Sequence, residues 1–427
     1  LHGRASQRPT LAQGFSTSQL SFSRFKELIT RLRADKACGL DGFQADFLHV
    51  ASDDVLEYYW ALLLTCIEES TFPSTWSTVV AVLIPKKVHA PTRIDKLRDI
   101  WLTTIGSRIV GTFVRDRVFA PLDNRLLFAA AGFRQGRQTL ELIQELKLAL
   151  QQARHLHNSV YVLWVDLEKC FMTFPREAGL TAIDRCGAPP AVTSALRGLY
   201  AQAQGRYDSA HGMSAAFDIL RGFLQGAIES PDFAKYCINV LMEIMELRVI
   251  GWRWFDGATT GARSLQLVFA DDACNLLGSF ESLRRAAFVW DLWALVLDVK
   301  INISGSDKTV WGGAHRCRRP RGGYSETSPP GRLVLPTDGR CVTNIGLSGV
   351  YEYLGEKMSV DVVTGAKAAF EHVVDKTKGG AAVISAAKDS RVTSVALMNS
   401  FTLAYGLYYR LDITWAEAES RLGPLTR

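Results

Sequence analysis

The spacing of apolar and polar residues changes several times along the chain, and each change marks an element. Residues 20 to 35 read as a helix that runs into the turn Lys36-Ala37-Cys38-Gly39-Leu40-Asp41-Gly42. A second helix is predicted from Asp53 to Ser70. Val79 to Ile84 is a β-branched apolar run stopped by Pro85, the pattern of a strand. Thr139 to Arg154 is rich in Leu, Gln, Glu, Lys and Ala, side chains that lose little freedom in a helix. Tyr161 to Val165 is a short apolar run and reads as a buried strand. Helical stretches flank Gly187-Ala188-Pro189-Pro190. Ser230-Pro231-Asp232 supplies an N-cap, a proline at the first helical position and an acid in the first turn, opening a helix to about Arg248.

Leu265 to Phe269 and Cys274 to Leu277 are apolar arms around a four-residue turn, a hairpin pattern, and a helix follows from Glu281 to about Leu297. Gly312 to Arg340 is full of Gly, Pro and Arg without periodicity and is expected to be a mobile loop. The chain after Gly365 is Ala-rich and helical. Helices and strands mix without a regular βαβ repeat, which predicts an α+β fold.

Composition narrows this picture. The 427 residues suffice for two or three packed subdomains, and 48% hydrophobic with 22% charged residues describes an ordinary folded protein. No apolar run reaches the roughly 20 residues that span a bilayer, so no membrane partner is expected. The chain opens on Leu1 and closes on Gly423-Pro424-Leu425-Thr426-Arg427, and both ends read as cut from something longer. The eight cysteines show no CxxC pair and no Cys/His knuckle, so reduced thiols in an intracellular setting are expected, nuclear or cytoplasmic alike. Net charge is +6, but between Ile84 and Arg137 eleven Lys and Arg stand against four Asp, a window of +7. Such a concentration suits either a solvated basic face or a polyanionic partner.

The candidate chemistry lies in three aspartates. Asp166 ends the apolar strand, and Asp271 and Asp272 sit at the tip of the hairpin Val268-Phe269-Ala270-Asp271-Asp272-Ala273. Strand ends and hairpin tips are rigid enough to fix metal ligands. Adjacent carboxylates repel by roughly 4 kcal/mol at ~4 Å for an effective dielectric near 20, and a divalent cation reverses the sign. Hard oxygen ligands suit Mg²⁺, which retains waters and phosphate oxygens as its other ligands. A second pair, Asp53-Asp54, stands at a predicted helix start, so a pair alone does not make a site.

Other segments surround those aspartates in a definite order, over roughly residues 30 to 360. Lys36-Ala37-Cys38-Gly39-Leu40-Asp41-Gly42 resembles a KAPGPDG turn, and Phe72-Pro73 through Trp76 to Leu83-Ile84-Pro85-Lys86-Lys87 resembles a first fingers motif. Arg98-Asp99-Ile100 stands where RPI is usual, and Gly132-Phe133-Arg134-Gln135-Gly136-Arg137-Gln138-Thr139 resembles GFR-x-GRST. Asp166-Leu167-Glu168-Lys169-Cys170-Phe171 resembles DLEKAF. Gly222-Phe223-Leu224-Gln225-Gly226 with Ser230-Pro231 resembles GxRQGxxLSP, Phe269-Ala270-Asp271-Asp272 a catalytic FADD hairpin, and Tyr353-Leu354-Gly355 a primer-grip YLG. Together they resemble the reverse transcriptases of LINE-type (non-LTR) retrotransposons; group II intron enzymes, the nearest relatives of these, usually carry YADD.

That resemblance implies a right-hand polymerase with fingers over residues 1–152, a palm over 153–360 and a partial helical thumb over 361–427. It implies RNA-directed DNA synthesis from a 3′-hydroxyl primer, with an RNA template, a DNA primer and dNTPs as partners. Two Mg²⁺ ions, replaceable by Mn²⁺, would be held by Asp166, Asp271, Asp272 and the Leu167 carbonyl. Lys86 and Arg98 would contact the triphosphate, and Gln225 and Gly226 the nucleotide and templating base. Phe171 would lie under the sugar and exclude a 2′-hydroxyl, Lys308 would give a proton to pyrophosphate, and Tyr353, Leu354 and Gly355 would form the primer grip. Met172 and Leu224 depart from the usual acid and Arg, Ala227 and Ile228 from the common Cys and Pro, and extra residues precede Lys308. A decayed, nucleic-acid-binding remnant and a group II intron-type maturase are the alternatives.

Overall fold

The computed structural model describes residues 20–34, 36–85, 97–209, 211–254, 262–305, 308–320, 322–329 and 331–386. The chain divides into two compact units, each assembled from separated stretches: Leu1–Phe128, Glu168–Leu241 and Val296–Val299 form the first, and Ala129–Leu167, Met242–Leu295 and Lys300–Arg427 the second. Both mix helices and strands, as the α+β reading expects.

In the first unit, the strand Thr78–Pro85 pairs antiparallel with Leu97–Leu102 and parallel with Gln204–Ser209. Its Val79, Val80 and Ala81 are buried, which is why a β-branched run forms here. Helices supply the rest. The helix Asp53–Glu69 starts at an extended Ser52 with two acids in its first turn, favourable against the helix dipole, and stops at Ser70 with φ +53°. Arg176–Arg185 and Pro190–Ala201 are the two helices expected around Gly187. Phe223 and Phe233 stack 4.5 Å apart at the centre of an aromatic cluster with Tyr200, Phe174 and Phe119. The helix expected over 20 to 35 ends earlier, at Thr30.

The second unit is built on a larger sheet. Its strands run in the order Leu333–Val334, Cys341–Gly346, Val310–Arg318, Val160–Val165, Asp272–Leu277 and Gln266–Phe269, with Tyr324–Thr327 pairing Val310–Arg318. Val160–Val165 is central and buried along its whole length, so both faces must be covered. Val160, Val162 and Trp164 share a core with Leu142, Leu146 and Leu150 of the helix Thr139–His155. That helix starts with the reciprocal capping box of Gln138 and Glu141. Opposite, Trp290 of the helix Phe280–Val296 donates to the buried Asn275 Oδ1 at 2.8 Å.

Two expectations change here. The stretch from Gly312 to Arg340 is not a loop: it carries most of one sheet strand and two shorter ones. Gly312 is what the packing of that strand needs, since a Cβ there would press on the Gly346 carbonyl oxygen at 2.8 Å. The acidic hairpin also turns more tightly than four residues. Phe269 pairs directly with Asp272, leaving only Ala270 and Asp271 in the turn.

Candidate active site

Asp166 follows the last residue of the central strand, and its backbone is closed on both sides by a distant segment of the second unit. The Asp166 N–H donates to Thr309 Oγ1 at 3.0 Å, and that hydroxyl donates back to the Asp166 carbonyl at 3.2 Å. Asn302 N–H donates to the same carbonyl at 2.9 Å. The Asn302 side chain then donates to Asp166 Oδ2 at 2.8 Å, and Lys308 Nζ lies 3.8 Å from that oxygen. One carboxylate oxygen is thereby pinned, and the rotamer with it. Leu167 is buried and forms a bridge with Ile301.

The neighbouring strand brings the other two acids to the same end of the sheet. Ala273 pairs with Val165, so Asp272 and Asp271 continue past the strand that Asp166 ends. Ala270 takes φ +59° in the two-residue turn, a conformation an L-residue adopts at a cost of about 1–2 kcal/mol. Solvent reaches part of the Asp272 side chain, but packed protein atoms desolvate its carboxyl and the charges of Asp271, Asp166 and Glu352 repel it. Lys308 opposes them weakly, and the group is pushed up to about 6. The three aspartates therefore share one field of negative charge that Lys308 offsets only in part. Among the described residues no three His, Cys, Asp or Glu side chains are gathered as a ready metal cage. Mg²⁺ sites commonly use one or two carboxylates and complete themselves with water and phosphate, so this donor set fits that ion.

The predicted primer-grip residues also lie in the second unit. Tyr351–Tyr353 and Glu356–Met358 form a hairpin whose two turn residues, Leu354 and Gly355, have φ +53° and +84°. Tyr353 is 1% exposed and its hydroxyl donates to the Leu267 carbonyl at 2.7 Å. Its ring is thus occupied in packing beneath the acidic hairpin, and only the Leu354-Gly355 turn is open to a ligand.

The remaining predicted residues belong to the first unit, apart from Lys86, which lies outside the described residues. Arg98 is exposed on the strand Leu97–Leu102. Trp101 of that strand donates its N–H to the Gln225 carbonyl at 2.8 Å, which sets Gln225 and Gly226 beside it. Gly226 has φ +123°, and a Cβ there would come within 2.6 Å of the Trp101 carbonyl oxygen. Phe171, on the short helix Cys170–Thr173, is half-buried and accepts from Phe223 N–H at 2.7 Å, so its segment runs next to the same turn. Arg176 donates to the carbonyls of Gly222 at 3.1 Å and Tyr200 at 2.9 Å, strapping that turn in place. A cavity of about 660 Å³ opens nearby, lined by Arg31, Lys36, Arg108 and Arg115 together with Trp101 and Gly226.

Asn302, Thr309 and Arg176 were not singled out as functional from the sequence. Their partners lie far away along the chain, and no local spacing signals a hydrogen bond across 143 residues. Residues 84–304 match the family model described as Reverse transcriptase (RNA-dependent DNA polymerase), more than half of the 427-residue chain.

Proposed function

Since the chain belongs to the reverse transcriptase family, whose activity is that of an RNA-directed DNA polymerase, a nucleotidyltransferase using an RNA template, a primer and dNTPs, we propose that it extends a 3′-hydroxyl primer by two-metal nucleotidyl transfer and comes from a LINE-type (non-LTR) element. The observation that carries this reading is geometric: the pairing of Ala273 with Val165 brings Asp271 and Asp272 to the sheet end where Asp166 stands, and there desolvation, then the charges of Asp271, Asp166 and Glu352, push the Asp272 carboxyl up to about 6. A fold does not tolerate such repulsion for stability's sake, and strongly perturbed carboxylates mark functional sites.

In this reading Asp166, Asp271 and the Leu167 carbonyl hold the ions, and Asp272 completes the acidic end. Bound Mg²⁺ would acidify the primer hydroxyl and neutralise charge on the phosphates. Asn302 holds the Asp166 carboxylate and Thr309 its backbone, which places the ligand before substrate arrives. Arg98 and Lys86 neutralise the triphosphate, Phe171 packs against the deoxyribose, and Gln225 and Gly226 bound the incoming pair. The cationic cavity beside Trp101 suits a nucleic-acid backbone. Fingers, palm and partial thumb over 1–152, 153–360 and 361–427 complete the proposal. The motifs KAxGxDG and FADD support the LINE-type origin.

The departures at Met172 and Leu224 favour a second reading, a folded remnant that binds nucleic acid without extending it. One assay separates the two. The purified chain with poly(rA)/oligo(dT), dTTP and Mg²⁺ should lengthen the primer. Binding of the duplex without extension in either Mg²⁺ or Mn²⁺ would establish the remnant instead.

A further inference from the structure

The turn that carries Asp271 is backed by a segment with no assigned role. Residues 129 to 132 run beside the strand Gln266–Phe269: Ala131 N–H donates to the Val268 carbonyl at 2.9 Å, and Val268 N–H to the Ala129 carbonyl at 3.3 Å. Ala130 and Val268 form a parallel bridge. The contact ends at Gly132, which lies against the turn itself. A Cβ on Gly132 would stand 2.1 Å from the Ala270 nitrogen and 3.0 Å from Ala270 Cα and the Phe269 carbonyl carbon. These are backbone atoms, which cannot rotate out of the way as the end of a side chain can. Just beyond, the Phe133 ring sits 6.5 Å from the Phe269 ring, and Arg134 donates to the Ala130 carbonyl at 2.9 Å. The segment is tied in turn to the helix Thr139–His155 through the Arg137–Glu141 pair at 2.7 Å.

We infer that Gly132 is a positioning residue for Asp271: its bare Cα is the backstop against which the Ala270-Asp271 turn is held, so the segment 129–134 sets where the catalytic carboxylate stands. The inference rests on the reading of Asp271 as a ligand in primer extension. A two-residue turn with positive φ at Ala270 is under strain, and strain persists only where the surroundings over-determine it. The backbone pressed onto Ala270 supplies that constraint. Any side chain at position 132 must push the turn away and Asp271 with it.

The test compares Gly132→Ala with Gly136→Ala. Gly136 is in the same segment at φ +76° but has nothing within 4 Å of a Cβ, so alanine there strains the backbone without touching the hairpin. A misplacement near 1 Å costs up to about 100-fold, so Gly132→Ala should lower kcat by roughly 10- to 100-fold. KM for dTTP and Kd for primer–template should stay within about twofold, since only a transition-state interaction is lost. Amide exchange over 267–272 should quicken in Gly132→Ala and not in Gly136→Ala. Equal kcat losses in both variants, or wild-type kcat and exchange in Gly132→Ala, would overturn the inference. A wild-type chain that never extends primers overturns the proposed function instead, and the exchange comparison then decides the backstop alone. Should Gly132→Ala fail to fold, Phe133→Ala removes the ring contact with Phe269 and should quicken the same amides and lower kcat, to a smaller degree. Unchanged exchange and kcat in that variant would equally refute the backstop.

Discussion

Two hairpins of the second unit have the same plan and opposite electrostatics. Each is an antiparallel pair closed by two residues, Ala270-Asp271 in one and Leu354-Gly355 in the other, and each turns through a positive φ at a residue other than glycine. Each also carries an acid in its second strand beside the turn. In the Tyr351–Met358 hairpin that acid is Glu356, fully buried, and Lys147 Nζ meets it at 2.6 Å. In the acidic hairpin it is Asp272, where desolvation and the charges of Asp271, Asp166 and Glu352 outweigh the attraction of Lys308. Where an acid serves the fold, a counter-charge is built in. In the proposed reading of Asp272 as part of a metal site, a bound cation would bring the rest of the counter-charge.

The sharpest way to break this contrast is to remove a charge from the acidic end. Asp166→Asn or Asp271→Asn should lower extension by roughly 10³-fold or more, since a lost metal ligand forfeits several kcal/mol at ~1.4 kcal/mol per tenfold. Melting temperature without Mg²⁺ should stay the same or rise. A variant that extends normally would remove its aspartate from the site.

The converse holds at the hairpin of Glu356. Lys147→Met should strand a buried carboxylate and cost about 3 kcal/mol, read as a shift of the urea midpoint. Burial already raises the Glu356 carboxyl, so the loss should shrink in acid, where the carboxyl can protonate. Adding Glu356→Gln should recover most of it. Without that recovery, Lys147 acts through packing rather than charge.

A pH profile tests the contrast at Asp272. Its folded value of about 6 lies above the ordinary 3.8, so the folded chain binds this proton more tightly than the unfolded one. This contribution to stability is therefore greatest in acid and falls as pH rises between those two values, remaining low above them. Asp272→Asn should flatten that part of the profile and raise the melting temperature at neutral pH, while damaging extension. A steeper profile in the variant would reverse the assignment.

Smallest of all is Ala270→Gly. Relief of the left-handed alanine, about 1–2 kcal/mol, is partly offset by the backbone entropy of glycine, about 0.5–1 kcal/mol, so stability should rise by at most ~1.5 kcal/mol. Extension should nevertheless fall a few-fold because the turn is less fixed. Equal or higher activity would mean that the strain has no part in placing Asp271.

Much of this was legible in the residues. The buried strand before Asp166, the helix beginning at Thr139 and the hairpin bearing Asp271 follow from apolar runs and helix-forming composition. The tight turn was not, because Asp272 and Ala273 look like loop residues until their pairing with Phe269 and Val268 is seen. Residues 312 to 340 misled for a similar reason. Glycines there permit close strand packing, a tertiary demand that local composition reports as a loop. Tyr353 matches a grip motif, yet what its side chain does is decided by a carbonyl 86 residues away. Asn302 and Thr309 belong to the same class of contact, set by topology rather than by neighbours in the chain.

The interleaving of the two units bears on synthesis. The first unit begins with residues up to Phe128 but draws its last stretch from Val296–Val299. A ribosome leaving Phe128 must still make about 170 residues before that stretch exists, roughly 10 to 30 s at ordinary elongation rates. Well before that, about 80 residues after Phe128, the chain supplies Gln204–Ser209, the parallel partner of the strand Thr78–Pro85, and until those residues are made that strand has one edge open to any passing strand. A chain cut at residue 128 or 152 keeps that edge unpaired for good, and such fragments should aggregate rather than fold.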